Sequence, residues 1–489
     1  MAFIDLAALN VALPALQTDL NASGADLLWI VNAYAIMLAS LLLVGGSLGD
    51  RYGRKRVFMI GIMLFAFASL LCGIAGTTTL LIAARALQGI GGALMVPGSL
   101  ALITVSFDDD ARGKAIGTWS AFSTLTTIIG PIIGGLLASA GLWRGVFFIN
   151  LPLAALALWA LWFKVQERAP APNTAPLDIP GAVLATLGLA GITYGFIQLP
   201  SQGLRDPLVL LGLIGGMLAL TAFVIVEARS KNPMMPLEVF RSPTFSGTNL
   251  ATLFLYAALV GVTFFLPLNL IQVQGYDPSV AALTLLPFAF LLAGLSRFTG
   301  AWADRVGARI PLTIGSALTG AGFFLCGLPG LTNGPADYWT TYFPAVVLMG
   351  LGMGIVVAPL TTAVMGAVDQ TRAGIASGIN NAVARTAGVL AIAILGALVL
   401  FVFRSALETR ANILQLDPAE KSALVAQADR LGDAQAPAHL PADLKNAVTE
   451  QIKLAFVDAF RAAAYVGTAL ALLAAGLAFL TVPNKADSR

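Results

Sequence analysis

Apolar residues in this chain do not alternate with polar ones; they run on for sixteen to thirty positions and then break at short polar or glycine-containing connections. A helix needs about 20 apolar residues to cross a hydrocarbon core of about 30 Å. Fourteen stretches fit that template, at 1–16, 28–49, 57–76, 79–106, 114–139, 143–163, 179–199, 207–226, 244–273, 280–301, 310–329, 340–366, 375–402 and 459–482. Backbone polar groups in lipid have to be satisfied within the segment, so the pattern predicts helices and no open strands. The expected fold class is all-α integral membrane.

Composition agrees with a lipid solvent. Of 489 residues 58% are hydrophobic and 11% charged, with a mean hydropathy of +0.85; soluble domains carry about 25% charged residues. The net charge of +3 is not gathered on one element, which argues against a nucleic-acid partner. Its distribution along the chain does set an orientation. Sixteen Lys and Arg fall in the short connections and tail of one side, among them Arg51, Arg54, Lys55, Arg56, Lys231 and Arg372. Two, Arg144 and Arg205, fall on the other. Both termini are therefore expected in the cytoplasm of a cell whose plasma (inner) membrane holds the chain. Trp29, Trp143, Trp302 and Trp339 lie near span ends, as interface anchors would.

A shift of 254 residues superposes Gly46 on Gly300, Asp50 on Asp304, Gly53 on Gly307, Gly61 on Gly315 and Cys72 on Cys326. The repeat joins spans 2–3 to spans 10–11, so two six-helix bundles flank an inserted pair. The domains expected are 1–165, an N-terminal bundle; 166–243, a Pro-rich linker with the inserted pair; and 244–489, a C-terminal bundle carrying a long outer loop at 404–458. Within that loop, Asp417-Pro418-Ala419-Glu420 reads as a helix start. Parallel repeats of this kind are found in secondary transporters, with the substrate site between the halves.

Several chemistries are excluded by what the sequence contains. Cys72 and Cys326 sit in apolar runs and make no disulfide or metal framework. The single histidine, His439, lies in a polar stretch away from the spans. There is no G-x-x-x-x-G-K-[ST] phosphate loop for ATP hydrolysis. No enzyme activity, cofactor or metal is expected, and no basic leader of a cleavable signal peptide precedes the first span.

Charge within a span costs about 2.5–3.5 kcal/mol on insertion scales and needs a reason. Four such residues stand out: Asp5, Arg85, Arg297 and Arg385. Asp5 falls about halfway across its span. Desolvation favours the protonated form of a carboxylate there and a neighbouring arginine favours the charged form, so Asp5 and Arg85 are the candidates for proton coupling. Arg297, a turn from the cytoplasmic end, is expected to snorkel. Asn10, Gln88, Asn380, Asn381 and Arg385 are candidate polar residues of a central cavity. Gly130, Pro131, Gly134 and Gly135 bring a helix bend and close helix approach to span 5.

These residues also match a known pattern. Gly46-Ser-Leu-Gly-Asp50-Arg51-Tyr-Gly53-Arg54-Lys55-Arg56 resembles the loop 2–3 signature of the major facilitator superfamily, whose implied role here is conformational gating. Arg85-Ala-Leu-Gln88-Gly89 is similar to its span 4 signature, associated with proton coupling. Gly117, Gly130, Pro131, Gly134 and Gly135 are similar to the antiporter signature of span 5, associated with export. Asp5-Leu-Ala-Ala-Leu-Asn10 together with Pro14, Trp143-Arg144 and Asn150-Leu-Pro152 resembles the fourteen-span drug:proton antiporter branch. Thr126 and Ala7 depart from it, where glycine and threonine are usual. The first span is short against the family, which points to further residues upstream of Met1. The resemblance implies a major facilitator fold and a proton-coupled exporter of small lipophilic compounds, neutral or singly cationic because Asp5 is the one cavity carboxylate. Exporters of a physiological metabolite or self-made antibiotic fit the same residues; a membrane scaffold fits less well.

Overall fold

The computed structural model describes residues 1–106, 126, 129–165, 178–230, 233–369, 373–414, 416–437 and 440–484. Helices dominate: α1 (Ala2–Leu20), α2 (Gly24–Tyr52), α3 (Arg54–Ile74), α4 (Thr78–Ser106), α5 (Ile129–Ser139), α6 (Gly145–Lys164) and α7 (Ile179–Gln202). They continue as α8 (Pro207–Arg229), α9 (Pro243–Val273), α10 (Leu286–Val306), α11 (Arg309–Cys326), α12 (Tyr342–Gly366), α13 (Ala373–Ile413) and α14 (Ala442–Thr481). A short helix, Pro278–Leu283, leads into α10.

Twelve helices among the described residues are long and apolar enough to cross a membrane, and they coincide with expected spans 2–4 and 6–14. The remaining two expectations, spans 1 and 5, fall on α1 and on a segment described only over Ile129–Ser139. Span 1 is longer than its apolar run: α1 continues through Gln17 to Leu20, 19 residues or about 28 Å at 1.5 Å per residue. Gln17 can stay in the helix because it is buried and hydrogen-bonded, to the Arg430 carbonyl at 3.0 Å and to Gln272 at 2.8 Å.

Helix starts are set by local chemistry. Ser23 and Asp26 form a reciprocal capping box on α2, and Asp206 caps α8 ahead of Pro207. Ser242 does the same for α9, ahead of Pro243. Inside α9, Pro267 supplies no backbone N–H, and the helix widens to a π turn at Asn269–Val273.

The 254-residue repeat is visible in three dimensions. Gly53 closes α2 with φ +101° and Gly307 closes α10 with φ +87°, a backbone state that a Cβ disfavours. Gly61 lies close under Gly91 of α4, and Gly315 close under Gly352 of α12. Cys72 and Cys326 are both fully buried.

Helices α2, α3, α4 and α6 pack into one group, and α9 to α14 into a second. The inserted hairpin α7–α8 leans on α2 of the first group and α13 of the second. Central α1 touches both, through α2, α4 and α6 on one side and through α9 and Pro278–Leu283 on the other.

Two expectations change. The long loop shrinks to 414–441 because α13 and α14 continue as a helical pair past their apolar runs, stapled by Arg410 to Gln451 at 2.8 Å and to Asp458 at 2.6 Å. The helix start at Asp417 is present, as Pro418–Val425 with Glu420 completing the capping box. Trp143 is no interface anchor: it is buried and donates its ring N–H to Asp19 at 3.1 Å. His439 and most of the 166–178 linker lie outside the described residues.

Candidate functional site

The site grows from two helices. Arg85 and Gln88 are three residues apart on α4 and so share one face, which looks at Asp5 on α1. Arg85 Nη1 donates to Asp5 Oδ2 at 2.5 Å and to Gln88 Oε1 at 2.5 Å, while its Nε donates to the Ile30 carbonyl of α2 at 3.1 Å. Gln88 Nε2 donates to Asp5 Oδ1 at 2.9 Å and to Ser69 Oγ of α3 at 2.8 Å. Asn150 of α6 donates to the same Asp5 oxygen at 2.8 Å and to Ser69 at 3.2 Å. The ring of Tyr34 (α2) lies 4.4 Å from the Arg85 guanidinium carbon, a cation–π contact.

Asp5, Ser69, Arg85, Gln88 and Asn150 have no exposed surface. A buried ion pair is sustained only when its remaining hydrogen-bonding groups are satisfied too. Asp5 meets that condition, with three donors on its two oxygens. Arg85 keeps one nitrogen, Nη2, without a partner. Five helices thus converge on one carboxylate, and a proton placed on Asp5 would remove the charge that holds Arg85 to α1.

The sequence paired Asp5 with Arg85 and included Gln88; it missed Ser69, Tyr34 and the contact role of Asn150. Each is a polar group in an apolar helix, where it has to find a partner, and that signal was available.

Other expected residues go elsewhere. Gly130 and Gly134 press α5 onto α1: a Cβ at Gly130 would lie 2.7 Å from Ala7 Cβ, and one at Gly134 would run into the Ala8 carbonyl oxygen. Gly135 faces the second group instead, against the Pro278 carbonyl. Pro131 lies two residues into the described part of α5, so a bend in the preceding turn, like Gly117, is outside the described residues.

At the Arg51/Lys55 end, Asp50 belongs to the last turn of α2, not the first of α3, because Gly53 makes the break; its side chain is outside the described part. Gly46 leaves room against Pro97, Arg51 lies over Tyr52 and Lys55 donates to the Val165 carbonyl at 2.7 Å. Arg54 opens α3.

Asn380 is half-buried. It ties α13 to α9 through Asn249 (3.1 Å) and Thr252 (2.8 Å). Asn381 is exposed and donates to the Ser377 carbonyl. Asn10 buries an oxygen that has no partner, and Arg385 makes no hydrogen bond or ion pair among the described residues.

At the opposite end, α5 and α1 are joined to the second group and its loop. Ser139 of α5 donates to Asp277 at 2.5 Å, ahead of α10, and receives the Ser279 N–H at 3.2 Å. The Ser139 bond, with those from the Ser279 hydroxyl and N–H to the same carboxylate, holds the Asp277 carboxyl below the usual carboxylate range. The 414–441 loop adds Arg430, whose guanidinium donates to Asn21 and whose carbonyl accepts from Gln17.

Comparison with known proteins follows the same lines. The chain is 33% identical over its whole length to the Tetracenomycin C resistance and export protein of Streptomyces glaucescens, covering 90% of that protein. It is 36% identical to the Cephamycin export protein of Amycolatopsis lactamdurans, over 80% of this chain and 81% of that one. It is 32% identical to the Multidrug resistance protein Stp of Mycobacterium tuberculosis, over 87% and 78%. Among solved structures, a bacterial homolog of the human lysosomal transporter Spinster, inward-facing and unoccupied, superposes with a TM-score of 0.65 at 17% identity, covering 99% of this chain and 96% of that one. The family model described as Major Facilitator Superfamily matches residues 1–393. A multi-pass helical membrane protein with this repeat and these relatives, the chain belongs to the Major Facilitator Superfamily.

Proposed function

We propose that the chain is a proton-driven exporter of small lipophilic molecules, working by alternating access in the plasma membrane with both termini cytoplasmic. The observation that carries this reading is the buried Asp5–Arg85 pair between α1 and α4, in a chain whose relatives bear the names of resistance and export proteins.

In this reading Asp5 is the mobile proton site. The charged form holds α1 to α4 through Arg85; the protonated form releases that bond and leaves Arg85 with Gln88, the Ile30 carbonyl and the Tyr34 ring. Because α1 also touches α9 and Pro278–Leu283, its release loosens the seam between the halves. The Ser139–Asp277 and Arg430 contacts close the outer end, and residues Gly46 to Lys55 gate the inner one. Gly130, Pro131, Gly134 and Gly135 let α5 follow α1. With α1 and α5 as spans, the count is fourteen, as in the drug:proton antiporter branch. One proton crossing 100 mV supplies about 2.3 kcal/mol, and one pH unit about 1.4 kcal/mol. Together these sustain a gradient of a few hundred-fold without ATP.

The expected neutral or singly cationic cargo rested on Asp5 as the one cavity carboxylate. With three donors already on Asp5 and the Arg85 charge set against it, a cation finds little uncompensated negative charge there while the pair holds. A neutral lipophilic body remains compatible. The names of the relatives favour an antibiotic as one such cargo.

The test is transport in energised inside-out vesicles against a panel of dyes and antibiotics, in wild type and Asp5→Asn. Proton-dependent accumulation of at least one compound, lost in the variant, is expected. Accumulation that persists after the proton gradient is collapsed would overturn the reading.

A further inference from the structure

Arg385 lies twelve residues into α13, about 18 Å from its start at 1.5 Å per residue, which is halfway through a membrane. Its face of the helix is fixed by the next turn. Val389 packs on Ile36 and Ala39 of α2, and Gly388 lies against Val260 of α9. A residue three or four positions earlier shares that face, so Arg385 looks into the seam where the first helix group meets the second. The phenol of Tyr34, whose ring covers Arg85, is within its electrostatic reach.

The charges around this seam do not balance. Arg85 and Arg385 are two fixed cations, since a guanidinium does not deprotonate in proteins. Among the described residues, Asp5 pairs with Arg85 and no carboxylate pairs with Arg385. The Nε of Arg385 is shut away from solvent with no hydrogen-bond partner, and Nη2 of Arg85 is in the same state. Arg385 as a whole is half-buried; a cation at membrane depth without a counter-charge is still costly, and such a residue marks a substrate or ion path. Among the described residues, the seam is one negative charge short.

We propose that Arg385 is a cargo-binding residue, and that the preferred cargo is a lipophilic molecule bearing one acidic group that is ionised at neutral pH, such as a carboxylate. The acid seats on the Arg385 guanidinium, which offers a planar fork suited to carboxylate geometry. This deepens the exporter reading and rests on it. The apolar body of the cargo occupies the seam between the halves.

The experiment uses the full chain, purified in detergent and in vesicles, with a coumarin carboxylate and the carboxamide of the same shape as probes. Binding is read by tryptophan quenching and export by dye accumulation. Wild type is expected to bind the acid at least tenfold more tightly than the amide. Arg385→Gln should reduce that acid-to-amide ratio about tenfold, and Arg385→Lys should restore part of it. Equal affinity for the two probes in wild type would overturn the proposal, as would an unchanged ratio in Arg385→Gln. If chloride alone abolishes acid binding at millimolar concentration, the arginine serves an inorganic counter-ion and the proposal fails. If no probe is exported while Arg385-dependent acid binding persists, the site stands and the exporter reading is what falls.

Discussion

Asn150 of α6 donates to Asp5 of α1 at 2.8 Å, with both residues fully buried. The bond brings a third helix to a carboxylate that α4 already holds twice. It ties Asp5 to a second helix of the first group.

Asn150→Leu removes that donor and its shared bond to Ser69. Gln88 still serves Asp5 and Ser69, so the loss is that of a buried hydrogen bond to a charged group, worth about 1.5–3 kcal/mol. The variant should reach the membrane but export several-fold more slowly than wild type, in the vesicle assay at matched protein level. Wild-type rates from Asn150→Leu would show that Asp5 works without its α6 contact.

Gly134→Ala should be poorly tolerated, because the new methyl group meets the Ala8 carbonyl oxygen of α1. Overpacking of this sort costs about 1–3 kcal/mol. Gly76→Ala, in open space, is the matched control. Melting of the two purified variants should separate them by several degrees, with Gly134→Ala the lower. Equal melting would mean that α1 and α5 are not tightly joined.

Arg430 joins the 414–441 loop to α1, through Asn21 and Gln17, and Gln17 in turn holds Gln272 of α9. Its neighbour Leu431 sits at φ +56°, uncommon for a branched residue, with its side chain buried over Gly24. Arg430→Ala should loosen this strap. Spin labels at the exposed positions Ala140 and Val280 should then show a larger population of long distances than in the otherwise wild-type protein. An unchanged distance distribution would remove the strap from the closing of this end.

Orientation is open to direct labelling. A single cysteine at Arg56, exposed at the end of α2–α3, should react only with reagent on the cytoplasmic side. One at Lys445, exposed at the start of α14, should react only from outside. Modification of the Lys445 position from the cytoplasm would contradict the charge-based topology.

Twelve of the expected spans were legible because lipid allows so few backbone solutions; a 254-residue offset at Gly53 and Gly307 even marked the same turn twice. The Asp5–Arg85 pair was legible for a related reason: charge in a membrane has to be matched. The partners of that pair were not. Ser69 and Asn150 are ordinary residues until five helices are brought together, and no periodicity says which face of α6 meets α1. The ends of α13 and α14 were also hidden. The last turns of α13 and the first of α14 are polar and look like loop until Arg410 is seen to bridge to Asp458. Asn380 and Asn381 are adjacent in sequence, yet one is locked to α9 and the other is exposed. Helical geometry places neighbours about 100° apart, and only the packing decides which one turns inward.

The central claim is that Asp5 carries the proton that is exchanged for cargo. It is tested most directly by measuring proton release when a transported compound is added to purified protein in weakly buffered solution. Wild type should release about one proton per bound cargo when Asp5 is the single mobile site, and Asp5→Asn should release none while still binding the compound. Undiminished release from Asp5→Asn would contradict the account.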